Sequence, residues 1–173
     1  MKERDLNALA ARVHEANKQW WIDLQTGAPL DRNMDEMLML VVSEFAEAME
    51  GHRKNLMDDK LPHRVMAEVE LADAYIRLLD IAGAKGIDLN EGHRYLFRWS
   101  TNFAENLLKL VRKVTDTHTH LTMNVLYGVY GILELCTHLD FDLDGAFEEK
   151  MLYNATRRDH SREGRLEPNG KKY

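Results

Sequence analysis

Two short stretches carry residues that could do chemistry together. "SEFAE" places Glu44 and Glu47 three residues apart, and "ELAD" places Glu70 and Asp73 at the same spacing. On a helix, residues at i and i+3 share one face, with Cβ atoms about 5–6 Å apart. The apolar residues around both stretches predict that these faces are partly buried. One acidic pair is commonly a solvated surface. Two pairs on consecutive helices are a rarer combination, and antiparallel packing would turn them toward each other. Four carboxylates gathered without a cation repel, and their pKa values rise. A hard divalent cation removes that conflict. Mg²⁺ is the expected ion and Mn²⁺ its expected substitute, because both take oxygen ligands. Zinc is not indicated: there is one cysteine and no CxxC or HExxH.

The elements that must position these acids read as helices. A first helix is expected over about residues 4–24, ended by "TGAPLDRN" with Gly27 and Pro29. Asn33 and Glu36 form a capping pattern for a second helix that runs to about Lys54. A polar loop with Pro62 leads to a third, which stops at Gly86. A fourth follows the capping pair Asn102 and Glu105; a fifth covers "MNVLYGVYGILELCTHL"; a sixth covers "DGAFEEKMLYNATRR". No strand alternation appears, so the fold class is all-α, about six helices in one domain spanning 1–173. The basic tail from about residue 158 is expected to be extended and mobile.

Other side chains fall on the same faces. Arg77 and Asp80 lie seven and ten residues after Glu70 and continue its stripe. Lys150, Asn154 and Arg157 sit at i, i+4 and i+7 of the last helix. Arg53 and Lys54 follow the acidic pair of the second helix, while Lys60, His63 and Arg64 are weaker loop candidates. On the first helix Asn17 and Trp21 are four apart, with His14 one turn earlier, and could present a flat surface with polar groups.

An internal echo relates "IRLLDIAGAKGIDLNEG" to "YGILELCTHLDFDLDGA" at an offset of 54 residues, from Ile87 to Phe141. Applied to the acidic pairs, that offset lands on Arg98, Thr101, Asn124 and Tyr127, which are not acidic. The echo has two readings, an old duplication or two helices ending in similar turns.

Bulk composition narrows the class. The formal net charge of −6 argues against broad nucleic-acid binding, which needs a basic face. A lone cysteine, Cys136, forms no intrachain disulfide and reads as packing. With no secretory h-region and no membrane-length apolar stretch, the expected location is cytoplasmic.

"SEFAE" followed by "ELAD" resembles the ExxE…ExxD signature of the MazG-like all-α NTP pyrophosphohydrolases. The resemblance extends to "HRK", "DDKLPHR", "ELADAYIRLLDIAGAKGIDL" and "EEKMLYNATRRDH" with the "GKKY" ending. Ser43 stands where the fuller family pattern carries a leading acid. The resemblance implies Mg²⁺-dependent hydrolysis of a nucleoside triphosphate to the monophosphate and pyrophosphate. It implies that Glu44, Glu47, Glu70 and Asp73 hold two or more metal ions. Catalytic roles fall on Glu44 and Glu47, with Glu47 orienting or deprotonating the attacking water. Lys150, Asn154 and Arg157 would contact phosphates, with Lys54 beside them, and Asn17, Trp21, Arg77 and Asp80 would meet sugar or base. The loop and tail are most similar to a phage and bacterial branch associated with dATP and dGTP. A homodimer or homotetramer is implied; the apolar pattern of the fourth and fifth helices separately offers Leu107, Leu110, Leu126 and Tyr130 as exposed interface positions. Three alternatives stay open: a pyrimidine (dCTP/dUTP) pyrophosphatase of the same fold, a di-iron carboxylate bundle, and a non-catalytic helical interaction module. The Glu-x-x-His pairs of the di-iron fold are missing here.

Overall fold

The structure is a computed structural model that describes residues 5–90 and 97–171. Within them the chain is helical, with isolated bridges at Ile22–Pro29 and Met57–Val65 in place of strands. The helices are α1 (Leu6–Asn17), α2 (Met34–Lys54), α3 (Met66–Lys85), α4 (Phe103–Val114), α5 (Leu121–His138), α6 (Leu143–Thr156) and the one-turn α7 (Arg162–Arg165).

Sequence signals account for most of the boundaries. Asn33 caps α2 by accepting the Asp35 N–H at 2.9 Å, and Asn102 caps α4 by accepting that of Glu105 at 3.2 Å. Gly86 ends α3 at φ +63°, a left-handed position that costs glycine nothing. The first helix is shorter than expected. It ends at Asn17, followed by a 3₁₀ turn over Lys18–Trp21. The Asp23 carboxylate then accepts from the N–H groups of Gln25 and Thr26 and from the Thr26 hydroxyl, which turns the chain where continued helix was expected.

α3 is the centre of the bundle. Ala67, Leu71, Ala74, Tyr75, Leu78, Ile81 and Ala82 are all buried on it, so it is apolar around most of its circumference. It packs against α1, α2, α5 and α6. The α2–α3 loop is held by Asp58, whose buried carboxylate accepts the N–H groups of Lys60 (2.9 Å) and Leu61 (2.6 Å). Gly51 lies against Met66 and Ala67, Glu44 bonds Arg77, and Asp31 meets Lys85, so α2 and α3 run antiparallel along their length.

Two expectations are corrected here. Leu107, Leu110 and Leu126 are buried within the chain, and Tyr130 is half-buried with its hydroxyl donating to the Leu89 carbonyl at 2.6 Å. α4 is strongly amphipathic and spends its apolar face on α5, so these positions face inward. The tail is not extended. It forms a 3₁₀ turn at Arg158–His160 and then α7, and it rests on the segment after α1. Cys136 is buried in the core, and no helix among the described residues is long and apolar enough to cross a membrane.

Candidate metal centre and adjoining cleft

Antiparallel packing brings three of the four acids together. One carboxylate oxygen from each of Glu44, Glu47 and Glu70 lies within 4.8 Å of the others. Glu44 and Glu70 are buried and Glu47 is exposed, so the cluster opens to solvent on the Glu47 side. Asp73 lies beside it but is turned to Lys150, whose ammonium donates at 2.8 Å. Arg77 Nε donates to Glu44 at 2.6 Å.

The electrostatics show the strain of this arrangement. Burial, then the neighbouring Asp73 charge, pushes Glu70 up to about 9. Burial also raises Asp73, against the pull of Lys150. Lys150 is buried, which by itself would lower its pKa, but Asp73 and Glu70 outweigh that and hold it charged. An acid kept protonated far above its ordinary range binds a cation by releasing that proton. The donors are all carboxylate oxygens on rigid helices, with an open side for water or phosphate. An all-oxygen donor set of this kind fits a hard divalent ion.

A cleft adjoins the cluster. Asn17, Asp73, Arg77, Asp80, Asn154 and Arg157, six of the residues singled out from sequence, line it. Asp80 is buried; its carboxylate accepts the Trp21 indole N–H at 3.1 Å and pairs with His14 Nδ1 at 2.8 Å. Trp21 is thereby spent on Asp80 and on an edge contact with His14, and it is Trp20 that lines the cleft. The expectation that Trp21 offers a free flat surface is corrected: the 3₁₀ turn rotates the two indoles relative to a continuous helix. Lys54 is not brought to the cleft. It pairs with Glu50 at the exposed end of α2. Arg64 is spent as well, on Glu68 (3.0 Å), Asp142 (3.0 Å) and Glu149 (2.8 Å), joining α3 to α6.

Trp20, which the sequence offers with Trp21 as a wall for a base, lines the cleft, as does Lys171, one of the tail cations that either solubilise the chain or close over the site; sequence reasoning missed Arg32 and His160. Arg32 is buried and donates to the Trp20 carbonyl at 3.0 Å. Its signal in the sequence was faint, one arginine in a loop of turn residues. His160 and Lys171 come from a tail whose fold no periodicity marks.

Comparison with protein-family models, curated proteins and solved structures gave no match.

Proposed function

We propose that the protein is a Mg²⁺-dependent nucleoside triphosphate pyrophosphohydrolase that releases a monophosphate and pyrophosphate. The observation that carries the reading is the meeting of Glu44, Glu47 and Glu70 within 4.8 Å beside a cleft that holds Arg77 and Arg157. An anion-binding cleft next to an anionic cluster makes sense when cations bridge the two. The motif resemblance of "SEFAE" and "ELAD" supports the same reading.

In this reading Glu44, Glu47, Glu70 and Asp73 hold the ions, and Mn²⁺ substitutes for Mg²⁺. The ions, when bound, supply charge neutralisation and an acidified water. The chain's own residues do the rest. Glu47, exposed at the open side, orients and accepts a proton from the attacking water. Arg77 and Lys150 exchange their carboxylate partners for phosphate oxygens, and Asn154 and Arg157 extend that contact. Asn17 and Asp80 lie toward the sugar and base. The proposed substrates are purine deoxynucleoside triphosphates, dATP and dGTP. An amide such as Asn17 donates and accepts, which suits both the amino and the oxo base edge. A homodimer or homotetramer in the cytoplasm completes the proposal.

One observation favours a second reading. Arg77 and Lys150 already compensate Glu44 and Asp73 internally. A cluster neutralised in that way could be a structural seam of a non-catalytic helical module. A pyrophosphate-release assay across dATP, dGTP, dCTP and dUTP, with and without Mg²⁺, decides between them. The hydrolase reading expects Mg²⁺-dependent pyrophosphate release and a higher kcat/KM for the purines. Absence of release with every nucleotide favours the structural seam; a higher value for dCTP or dUTP replaces the substrate assignment alone.

A further inference from the structure

The C-terminal segment crosses the cleft that holds Arg77 and Asp80, and it is fastened there. Arg165 is buried, 6% exposed, although it lies near the end of the chain. Its guanidinium sits 4.0 Å over the Trp20 ring and donates to the Gln19 carbonyl. A cation held over an indole away from water is among the stronger contacts of its kind. His160 adds an edge-on contact to the same ring, with centroids 5.2 Å apart. Burial, with Arg157 adding, lowers His160 to about 4, so it meets Trp20 as a neutral ring. Farther along, Arg162 donates twice to the Leu24 carbonyl, at 3.1 and 2.8 Å. Lys171 returns to the cleft wall and pairs with Asp159 at 3.0 Å.

The space left beneath this segment is small. The cleft encloses about 100 Å³. Sites for drug-sized ligands and cofactors run to about 300–1,000 Å³. With the segment fastened, the cleft is thus smaller than the usual range for such sites.

We propose that residues 157–171 are a gate over the cleft, latched by Arg165 on Trp20, which must open before a nucleotide can bind. The proposal rests on the nucleotide-hydrolase reading of the cleft. It assigns Arg165 no contact with substrate. Its role is to set how often the cleft is open. Removal of the latch then raises the rate of substrate association.

The test uses the full chain and two measurements. Hydrogen exchange of the Gly164, Arg165 and Leu166 amides reports opening without any nucleotide, because their partners lie in a one-turn helix too short to persist once it leaves the body of the protein. Stopped-flow association of α,β-methylene dATP with Mg²⁺ reports access. Arg165→Met is expected to raise both rates by about tenfold, the factor equivalent to about 1.4 kcal/mol of lost latch energy. Unchanged exchange would overturn the latch, and faster exchange with unchanged association would overturn the gate. A cross-link provides a second arm that does not depend on the fold tolerating that variant. Leu24→Cys with Arg162→Cys, bridged by a short bismaleimide, is expected to abolish association; the unbridged double variant binds. Association at an undiminished rate in the bridged protein would also overturn the gate. A wild-type protein that releases no pyrophosphate from any deoxynucleotide points instead to failure of the hydrolase reading, and the exchange measurement still judges the latch.

Discussion

The α2–α3 pair and the α4–α5 pair are both antiparallel helix hairpins, and they spend their seams differently. α3 ends at left-handed Gly86, with the Ile87 N–H bonding back to the Ala82 carbonyl at 3.0 Å. α5 ends at left-handed Asp140, with the Phe141 N–H bonding back to the Cys136 carbonyl at 2.9 Å. Leu89 and Leu143, three residues after each turn, are both buried. The 54-residue echo is thus realised as the same terminator twice. At the position that echoes Glu70 of the first pair, however, the second pair carries Asn124. Its buried amide donates to the Asp116 carbonyl at 3.1 Å and its oxygen accepts from the Thr119 hydroxyl. One seam holds a neutral amide whose partners are complete. The other holds acids that are mutually repulsive and only partly compensated by Arg77 and Lys150. Burying like charges costs stability, so the acidic seam is the one that calls for a functional explanation.

The largest expected effect separates the two seams by activity. Glu47→Gln is expected to lower kcat by roughly 10²–10⁴-fold, the range of an acid–base group. Because Glu47 is exposed, metal-free stability should move by no more than about 0.5 kcal/mol. Asn124→Ala, at the echo position of Glu70, should do the reverse. Loss of its buried hydrogen bonds costs about 1–3 kcal/mol in urea unfolding while kcat stays at the wild-type value. Near wild-type turnover in both Glu47→Gln and Asp73→Asn would break the comparison.

A smaller effect probes helix spacing. A Cβ at Gly51 would lie 2.7 Å from Met66 Cβ and 3.1 Å from the Ala67 backbone nitrogen. Gly51→Ala should push α2 from α3, cost about 1–3 kcal/mol, and weaken Mg²⁺ binding measured by calorimetry. Gly131→Ala in the other seam meets the side-chain ends of Leu110 and Phe97, which can shift, so its cost should be lower and Mg²⁺ affinity unchanged.

The acidic seam should also make stability depend on pH. Glu70 titrates at about 9 in the folded protein against an ordinary 4.5. Between those values the folded state keeps a proton that the unfolded state has lost. Stability contributed by that proton is present below about pH 4.5 and is lost as pH rises toward about 9. Metal-free thermal scans should show Tm falling over that window. Glu70→Gln should flatten the fall, and saturating Mg²⁺ should oppose it. A Tm that rises over the same window in the metal-free protein would contradict the burial of this acid.

The smallest effect concerns the shared terminator. Gly86→Ala places a Cβ in the left-handed region and should cost about 1–2 kcal/mol. Asp140→Gly relieves the same conformation at φ +57° and should stabilise by about 0.5–1 kcal/mol, read from urea midpoints.

The sequence by itself determined the main helices, the caps at Asn33 and Asn102, the stop at Gly86, and the two acidic faces. These depend on neighbours within a turn: Asn33 and Asn102 as caps, Gly86 as a stop, and Glu44–Glu47 and Glu70–Asp73 at i,i+3. Lys150 and Asn154 were legible as one face, because helical periodicity is local; Arg157 stands just past the end of α6 in extended backbone and reaches the cleft from there. Only the tertiary structure decided which partner each charge takes. Asp73 and Lys150 are far apart in sequence, as are Glu44 and Arg77, and no spacing rule joins them. The same holds for the inward turn of Leu107, Leu110 and Leu126, whose amphipathic pattern shows an apolar face but not what covers it. It holds most of all for the tail. In the sequence Arg162 and Arg165 read equally as solubilising charge or as cations that close over the site, and only the fold sets Trp20 and the carbonyls of Gln19 and Leu24 opposite them. Local geometry is written in adjacent residues. Pairing across the bundle depends on chain segments that meet only when the core has formed.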